Sequence, residues 1–196
     1  MTSMQDPTLL AFDTSGPHVT AALLRAGRVV ARRHEAMKRG QAENLMPILE
    51  ALLAEAGLAW GDLTALGVGI GPGNFTGIRI SVAAARGLAL ALQIPAVGVS
   101  SFELAREAES GEVFLPAPRD MAYAQAFSEG QPSGPPRLLP RPEALAESIA
   151  DLPERLASRA AALLARASGP IPRPAPLYVK APDAAPARDA PPEIVG

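Results

Sequence analysis

Eleven consecutive residues, Gly69-Ile70-Gly71-Pro72-Gly73-Asn74-Phe75-Thr76-Gly77-Ile78-Arg79, set four glycines and a proline between an apolar strand pattern and an alanine-rich helical pattern. Glycine reaches φ > 0 and tolerates close backbone approach, while Pro72 fixes one φ and removes one donor. The stretch therefore reads as a rigid loop of bare backbone. Thr76 is expected to cap the following helix, whose first-turn N–H groups and dipole suit a phosphate or carboxylate. A second chemical element lies upstream: Asp13-Thr14-Ser15 puts a carboxylate and two hydroxyls at the end of an apolar run, suited to a metal-phosphate edge.

The loop is neither of the two common phosphate motifs. No Lys-Ser or Lys-Thr pair follows the glycines at P-loop spacing. Starting from Gly67, Gly69 or Gly71, the last glycine of a dinucleotide fingerprint falls on Pro72, Asn74 or Thr76. Two readings stay open on the loop alone, an anion cradle and a tight strand-to-helix turn that touches no ligand.

Around these residues the first hundred positions alternate strands and helices. Leu9 to Asp13 reads as a central strand, and Val19 to Leu24 pairs with Arg28 to His34 through Ala26-Gly27 as a hairpin. Leu45, Met46, Ile48, Leu49, Leu52 and Leu53 recur at helical spacing over Gln41 to Ala56, with Gly57 as a stop. Leu63 to Ile70 is the next buried strand, Thr76 to Leu92 the next helix, and Ala96 to Val99 a short strand. The order β-β-β-α-β-α-β starts antiparallel and then needs parallel strands joined by helical crossovers.

The second half is thinner. Phe102 to Ala108 reads as a helix, Val113 to Leu115 and Met121 to Phe127 as strands, and Pro142 to Ala150 and Pro153 to Ala167 as helices that begin with proline. Glu129 to Pro136 is a Gly/Pro/Ser loop. Prolines at 170, 172, 174 and 176 impose an extended run, and Leu177-Tyr178-Val179 is expected to dock as a final strand. The resulting division is 1–100 as a first lobe, 101–180 as a reduced second lobe, and 181–196 as a Pro/Ala-rich tail.

Composition narrows the function classes. A chain of 196 residues that is 48% hydrophobic can bury a real core. A formal charge of -2 and a pI near 5.7 give no overall basic footprint for holding nucleic acid unaided. Without cysteine there are no disulfides or thiolate zinc sites, which fits a reducing cytoplasm, and His18 and His34 are too few for an expected metal centre. Met1 to Asp6 lacks a leader pattern, and the apolar stretch from Ile78 to Val99 is broken by Arg79, Arg86 and Gln93, a poor membrane span.

The helix over 76–92 is apolar around its whole circumference, so it needs cover on more than one side. Arg79 and Arg86 share a face, and Ala83, Ala84, Ala85 and Gly87 admit another helix closely. Cover comes either from the second lobe or from a partner. The partner surface expected from this pattern comprises Leu45, Leu49, Leu52, Ile78, Arg79, Val82, Ala83, Arg86, Gly87 and Leu90.

Leu10-Ala11-Phe12-Asp13-Thr14-Ser15, then Gly71 to Ile80, Ala85-Arg86-Gly87-Leu88-Ala89 and Gly98-Val99-Ser100-Ser101-Phe102 closely resemble the TsaB family, also called YeaZ. The family form of the central motif is GPGSFTGLRIG, so Asn74 stands for serine and Ser81 for the last glycine. The resemblance covers residues 8 to 105 and implies an α/β actin-like, ribonuclease H-like (ASKHA) fold. It also implies a role in forming threonylcarbamoyladenosine at position 37 of tRNAs that read ANN codons. In that family the protein is a non-catalytic paralogue and partner of the transferase TsaD; TsaE, an ATPase, joins them, and TsaC supplies threonylcarbamoyl-adenylate. The same surface is expected to form a homodimer when TsaD is absent, with tRNA met only through the complex and no membrane contact.

Departures from the pattern point the same way. Gln41-Ala42-Glu43-Asn44-Leu45 has no histidine where TsaD-like transferases carry metal-binding pairs, and Ala117-Pro118-Arg119 stands where the family has Asp-Ala-Arg. The family's Gly-Asp-Gly segment is not recognisable, whereas Leu177-Tyr178-Val179-Lys180 resembles its closing Tyr-Leu-Arg. Asp13, Thr14, Gly71, Gly73 and Thr76 are thus expected to form a vestigial nucleotide or anion site, with no required cofactor and at most weak ATP or ADP binding. The alternatives are a small actin-like ATPase or phosphotransferase and, more remotely, a peptidase, for which Ser15, Ser81, Ser100 and Ser101 lack an evident His-Asp arrangement.

Overall fold

A computed structural model describes residues 7–143, 145 and 149–179. Its centre is a five-stranded sheet in the order β3-β2-β1-β4-β5, built from β1 (Leu9–Asp13), β2 (His18–Arg25), β3 (Arg28–Ala36), β4 (Ala65–Gly69) and β5 (Ala96–Val99). β1 pairs antiparallel with β2 and parallel with β4, and β4 pairs parallel with β5. This is the mixed sheet that the order of elements demands. β1 and β4 are buried at every position because both faces of the sheet are covered.

One face carries α1 (Gln41–Glu55) and α2 (Phe75–Leu92), with Leu10, Phe12, Leu45, Leu49, Leu66 and Val68 in a shared core. The other face carries α4 (Leu152–Arg166), whose Leu156, Ala160 and Leu164 meet Leu9, Ala11 and Ala65. Alternate residues of β1 thus feed opposite cores. Although α4 falls within the stretch read as a second lobe, it serves as the missing layer of the first sheet.

A second sheet joins β6 (Gly111–Ala117), β7 (Met121–Ser128), β8 (Gln131–Pro132) and β9 (Arg137–Pro140), following the short helix α3 (Ser101–Ala105). Its core is small, with Phe102, Leu115 and Phe127 buried beneath Leu177 and Val179. The proline-rich run reaches that core in extended form. The Leu177 N–H donates to the carbonyl of Ile70, just past β4, at 2.8 Å, and residues 177–179 dock there without becoming a strand.

Several boundaries differ from expectation. α2 begins at Phe75, and its N-cap is Asn74, whose side-chain oxygen accepts from the Gly77 N–H at 2.9 Å; Thr76 is a first-turn residue and does not cap. α3 stops at Ala105 because Arg106 is already extended, its guanidinium drawn to Glu103. β6 runs the full length of its pairing with β7, well past Val113 to Leu115. β8 lies within the stretch 129–136 read as loop, and β9 follows it in residues given no element. The described residues of 142–150 include no helix, and positions 144 and 146–148, like the tail 181–196, lie outside the described residues.

Candidate functional site

The two chemical elements of the sequence meet back to back. β1 and β4 are adjacent parallel strands, so the turns leaving their carboxyl ends, Asp13-Thr14-Ser15 and the glycine loop, emerge side by side. The Thr14 hydroxyl donates to the Gly77 carbonyl at 2.6 Å, and the Asn74 N–H donates to the Ser15 carbonyl at 2.6 Å. A Cβ at Gly77 would overlap the Thr14 carbonyl, and one at Gly73 would lie 2.5 Å from the Ser15 carbonyl oxygen. These two glycines serve a backbone-to-backbone contact between turns. Gly71, at φ +88, supplies the left-handed residue that opens the loop.

Ser81, Ser101, Ser15 and Asp13 are also engaged within the chain. Ser81, in place of the family glycine, donates its hydroxyl to the Gly69 carbonyl at 3.1 Å. Ser101 closes the far side, its N–H on the Gly71 carbonyl at 2.8 Å and its hydroxyl on the Pro72 carbonyl at 3.0 Å. Asp13 is 2% exposed; its carboxylate accepts the Ser15 N–H at 3.0 Å and the Ser15 hydroxyl at 2.8 Å. His18 Nε2 lies 3.3 Å from the same Asp13 oxygen that Ser15 uses.

The hairpin register brings His18 to this carboxylate and sets His34 beside it, ring centroids 5.0 Å apart. Burial, and then the neighbouring His18, hold the His34 pKa below the ordinary histidine value. Sequence reasoning gave both histidines no site role. The signal that was available is the five-residue spacing across Gly16-Pro17, which returns the chain antiparallel to β1. Ser15, Asp13 and His18 do not form a hydrolytic triad, because the serine proton is directed to the carboxylate and the imidazole shares that acceptor. Among the described residues no group of three or more His, Asp or Glu side chains could hold a metal ion.

Asp13, Ser15, His18, Gly73 and Ser101 line one wall of a cleft of about 1040 Å³ between the two sheets. Arg106, which also lines the cleft, is held in a buried ion pair. Arg106 donates through Nε at 3.3 Å and Nη2 at 3.2 Å to Glu103 Oε2, and lies 3.2 Å from Glu109. Burial opposes the guanidinium charge, but the hydrogen bond of Glu109 and the attraction of Glu103 outweigh it and raise the Arg106 pKa further. The Arg106 hydrogen bond in turn holds the Glu109 carboxyl below the ordinary range.

The expected partner surface divides in two. Leu45, Leu49 and Leu52 are buried in the chain's own core against the first sheet, and Ile78 and Val82 are buried within the chain as well, which removes all five from any docking face. Arg79, Ala83, Arg86, Gly87 and Leu90 are exposed, Leu90 at 78%. α2 has a mean hydropathy of 1.4 over 18 residues, apolar and long enough by composition to cross a membrane, yet only 28% of that stretch is buried in the fold. Arg79 is held within the chain: its guanidinium lies 3.9 Å over the Phe75 ring, and its Nε donates to the Tyr178 hydroxyl at 3.1 Å.

A mixed β-β-β-α-β-α-β sheet, a buried aspartate at the first strand end and a cleft between the two sheets define an actin-like, ribonuclease H-like α/β protein. Residues 29–118 match the family model described as TsaD, tRNA N6-adenosine threonylcarbamoyltransferase. The solved structure of YeaZ from Pseudomonas aeruginosa is 31% identical, with a TM-score of 0.72 covering 88% of this chain and 99% of that one. The chain belongs to the TsaB (YeaZ) family.

Among curated relatives, the tRNA threonylcarbamoyladenosine biosynthesis protein TsaB of Bacillus subtilis is 41% identical over 96 residues, 49% of this chain and 42% of the relative. An uncharacterized protein of Mycobacterium tuberculosis is 43% identical over 105 residues, 53% of this chain and 50% of the relative. The chain spans about half the length of the curated relatives it matches.

Proposed function

We propose that the chain is a non-catalytic subunit of the machinery that forms threonylcarbamoyladenosine at position 37 of ANN-decoding tRNAs, and that it docks TsaD through the outward face of α2. The named TsaB relatives support the process. The observation that carries the docking role is the division of labour around the glycine loop. The Asp13-Thr14-Ser15 turn and the loop are spent on each other through Thr14, Ser15, Asn74 and Gly77, whereas the helix they launch turns Ala83, Gly87 and Leu90 to solvent. Small residues beside one long apolar side chain suit close contact with a second helix.

In this reading TsaE joins the assembly, the same face pairs two copies of the chain when TsaD is absent, and the chain works in the cytoplasm with its tRNA. Size-exclusion chromatography of the chain mixed with TsaD tests it. A single co-eluting peak at micromolar concentration is expected, and two independent peaks count against docking.

The cleft favours a second reading, a small ATPase or phosphotransferase with Asp13 and Thr14 at a metal-phosphate edge, because its volume suits a nucleotide-sized ligand. Calorimetry with Mg-ATP separates the two readings: heat of binding followed by turnover supports the enzyme, and no heat at millimolar nucleotide removes it.

A further inference from the structure

Six of the eighteen Lys and Arg residues, Arg25, Arg28, Arg32, Arg33, Lys38 and Arg39, fall within positions 25–39, beside one acid, Glu35. The chain as a whole is acidic, so this is a local excess against the overall sign. All six sit on or directly after the β2–β3 ribbon, and β3 is the outer strand of the first sheet.

The six are not equivalent. Arg32 is paired with Glu154 of α4, and Arg33 with Glu55 of α1 at 2.6 Å, so the middle of the strand is tied to the helices on either face. Charged side chains on an edge strand also keep foreign strands away, a role open to these two. Arg25 and Arg28 at the hairpin turn, and Lys38 and Arg39 beyond the other end, are exposed and have no ion pair among the described residues. Nearby acids are Glu35 on the strand and Glu43 in the first turn of α1.

β3 is nine residues long, so its two ends, which the unpaired clusters flank, stand about 26 Å apart at roughly 3.3 Å per residue. A single phosphate or a small carboxylate reaches one cluster only. An extended polyanion reaches both, with the partly screened Arg32 between them.

We propose that the β2–β3 ribbon is an RNA-backbone contact surface, seating a phosphodiester chain along the outer edge of β3 from Arg25 and Arg28 to Lys38 and Arg39. The inference rests on the reading of the chain as a tRNA-modification subunit, and it gives that subunit a direct hold on tRNA at a face remote from the outward side of α2. Such contacts are sequence-independent and salt-sensitive, because they work by releasing counterions.

The test is fluorescence anisotropy with a labelled, unmodified tRNA transcript and the full chain, alone and with TsaD, at several salt concentrations. The variants are Arg25→Glu with Arg28→Glu, and Lys38→Glu with Arg39→Glu, each checked for unchanged melting temperature. Each pair should weaken tRNA binding at least tenfold at low salt. Each should also flatten the slope of log affinity against log salt by about 1.5 to 2, as expected for two lost phosphate contacts. Parental affinity in both variants overturns the inference, as does a parent chain that holds no tRNA either alone or with TsaD. Competition by polyglutamate as effective as by RNA reassigns the ribbon to an acidic protein and likewise overturns it. Binding to TsaD is scored separately: variants that bind TsaD but keep full tRNA affinity defeat the ribbon alone, whereas a parent chain that ignores TsaD defeats the functional reading.

Discussion

The Thr14 carbonyl occupies the space where a side chain at Gly77 would begin, and the Thr14 hydroxyl returns a 2.6 Å hydrogen bond to the Gly77 carbonyl. This contact spans 63 residues of sequence and locks the first strand's turn to the first turn of α2. The glycine loop therefore aims the helix by contact with β1. The same geometry leaves the Gly77 N–H on Asn74 and the Asn74 N–H on Ser15.

Gly77→Ala forces those two turns apart, and overpacking of this kind costs about 1–3 kcal/mol. Thr14→Val removes the hydrogen bond at nearly constant volume and should cost about 1 kcal/mol. Urea unfolding of both variants checks the order. A Gly77→Ala protein as stable as its parent would show that the loop has room to yield.

The buried Glu103–Arg106 pair lies under the second sheet's core, with Arg106 also 5.4 Å from the centre of the Phe127 ring. Arg106→Leu strands the Glu103 carboxylate, and losing one partner of a buried pair costs about 3–5 kcal/mol. The double variant Glu103→Leu with Arg106→Leu removes both charges and should recover most of that loss. A thermal-melt double-mutant cycle reads this directly, and simple additivity of the two single costs would contradict it.

Most of the first sheet was legible in the sequence, and the reason is burial. β1, β4 and α1 carry uninterrupted or strictly periodic apolar residues because each is covered, and periodicity reports covered positions reliably. It does not report what covers them. Periodicity therefore assigns Leu45, Leu49, Leu52, Ile78 and Val82 to a partner, whereas the chain itself buries all five. Asn74 and Thr76 are both competent caps by residue type, and only the position of the first helical residue selects Asn74. The His18–Asp13 contact depends on hairpin register, for which the spacing across Gly16-Pro17 is the one local sign, and the placement of α4 on the first sheet depends on a long-range return of the chain, which has no local signature.

Stability should fall in two steps on acidification. The folded-state pKa of His34 is depressed, so the unfolded chain takes up that proton first; the stability it contributes is present above the ordinary value of 6.5 and declines as pH falls through it. Glu109 has a depressed carboxyl pKa, so its contribution is present above about 4.5, the ordinary value, and is lost as pH falls below that. Urea midpoints measured across this range should show both steps. His34→Gln removes only the upper one.

Gly87 separates docking from folding. It lies on the exposed face of α2, and a Cβ there meets nothing within 4 Å in the folded chain. Gly87→Leu should therefore leave the fold intact, and replacing a mid-helix glycine by a strong helix former should stabilise it by about 0.5–1 kcal/mol. On the docking reading, the same side chain holds the partner helix away from Ala83 and Leu90 and should weaken association with TsaD at least tenfold. Arg86→Glu, also exposed on this face, should weaken association with little change in melting temperature. Calorimetric titration against TsaD, paired with thermal melts, supplies both readings for each variant. Lost affinity in a chain that melts at or above the parent temperature cannot come from unfolding, and so assigns the outward side of α2 to the partner. Parental affinity in both variants would place the docking face elsewhere.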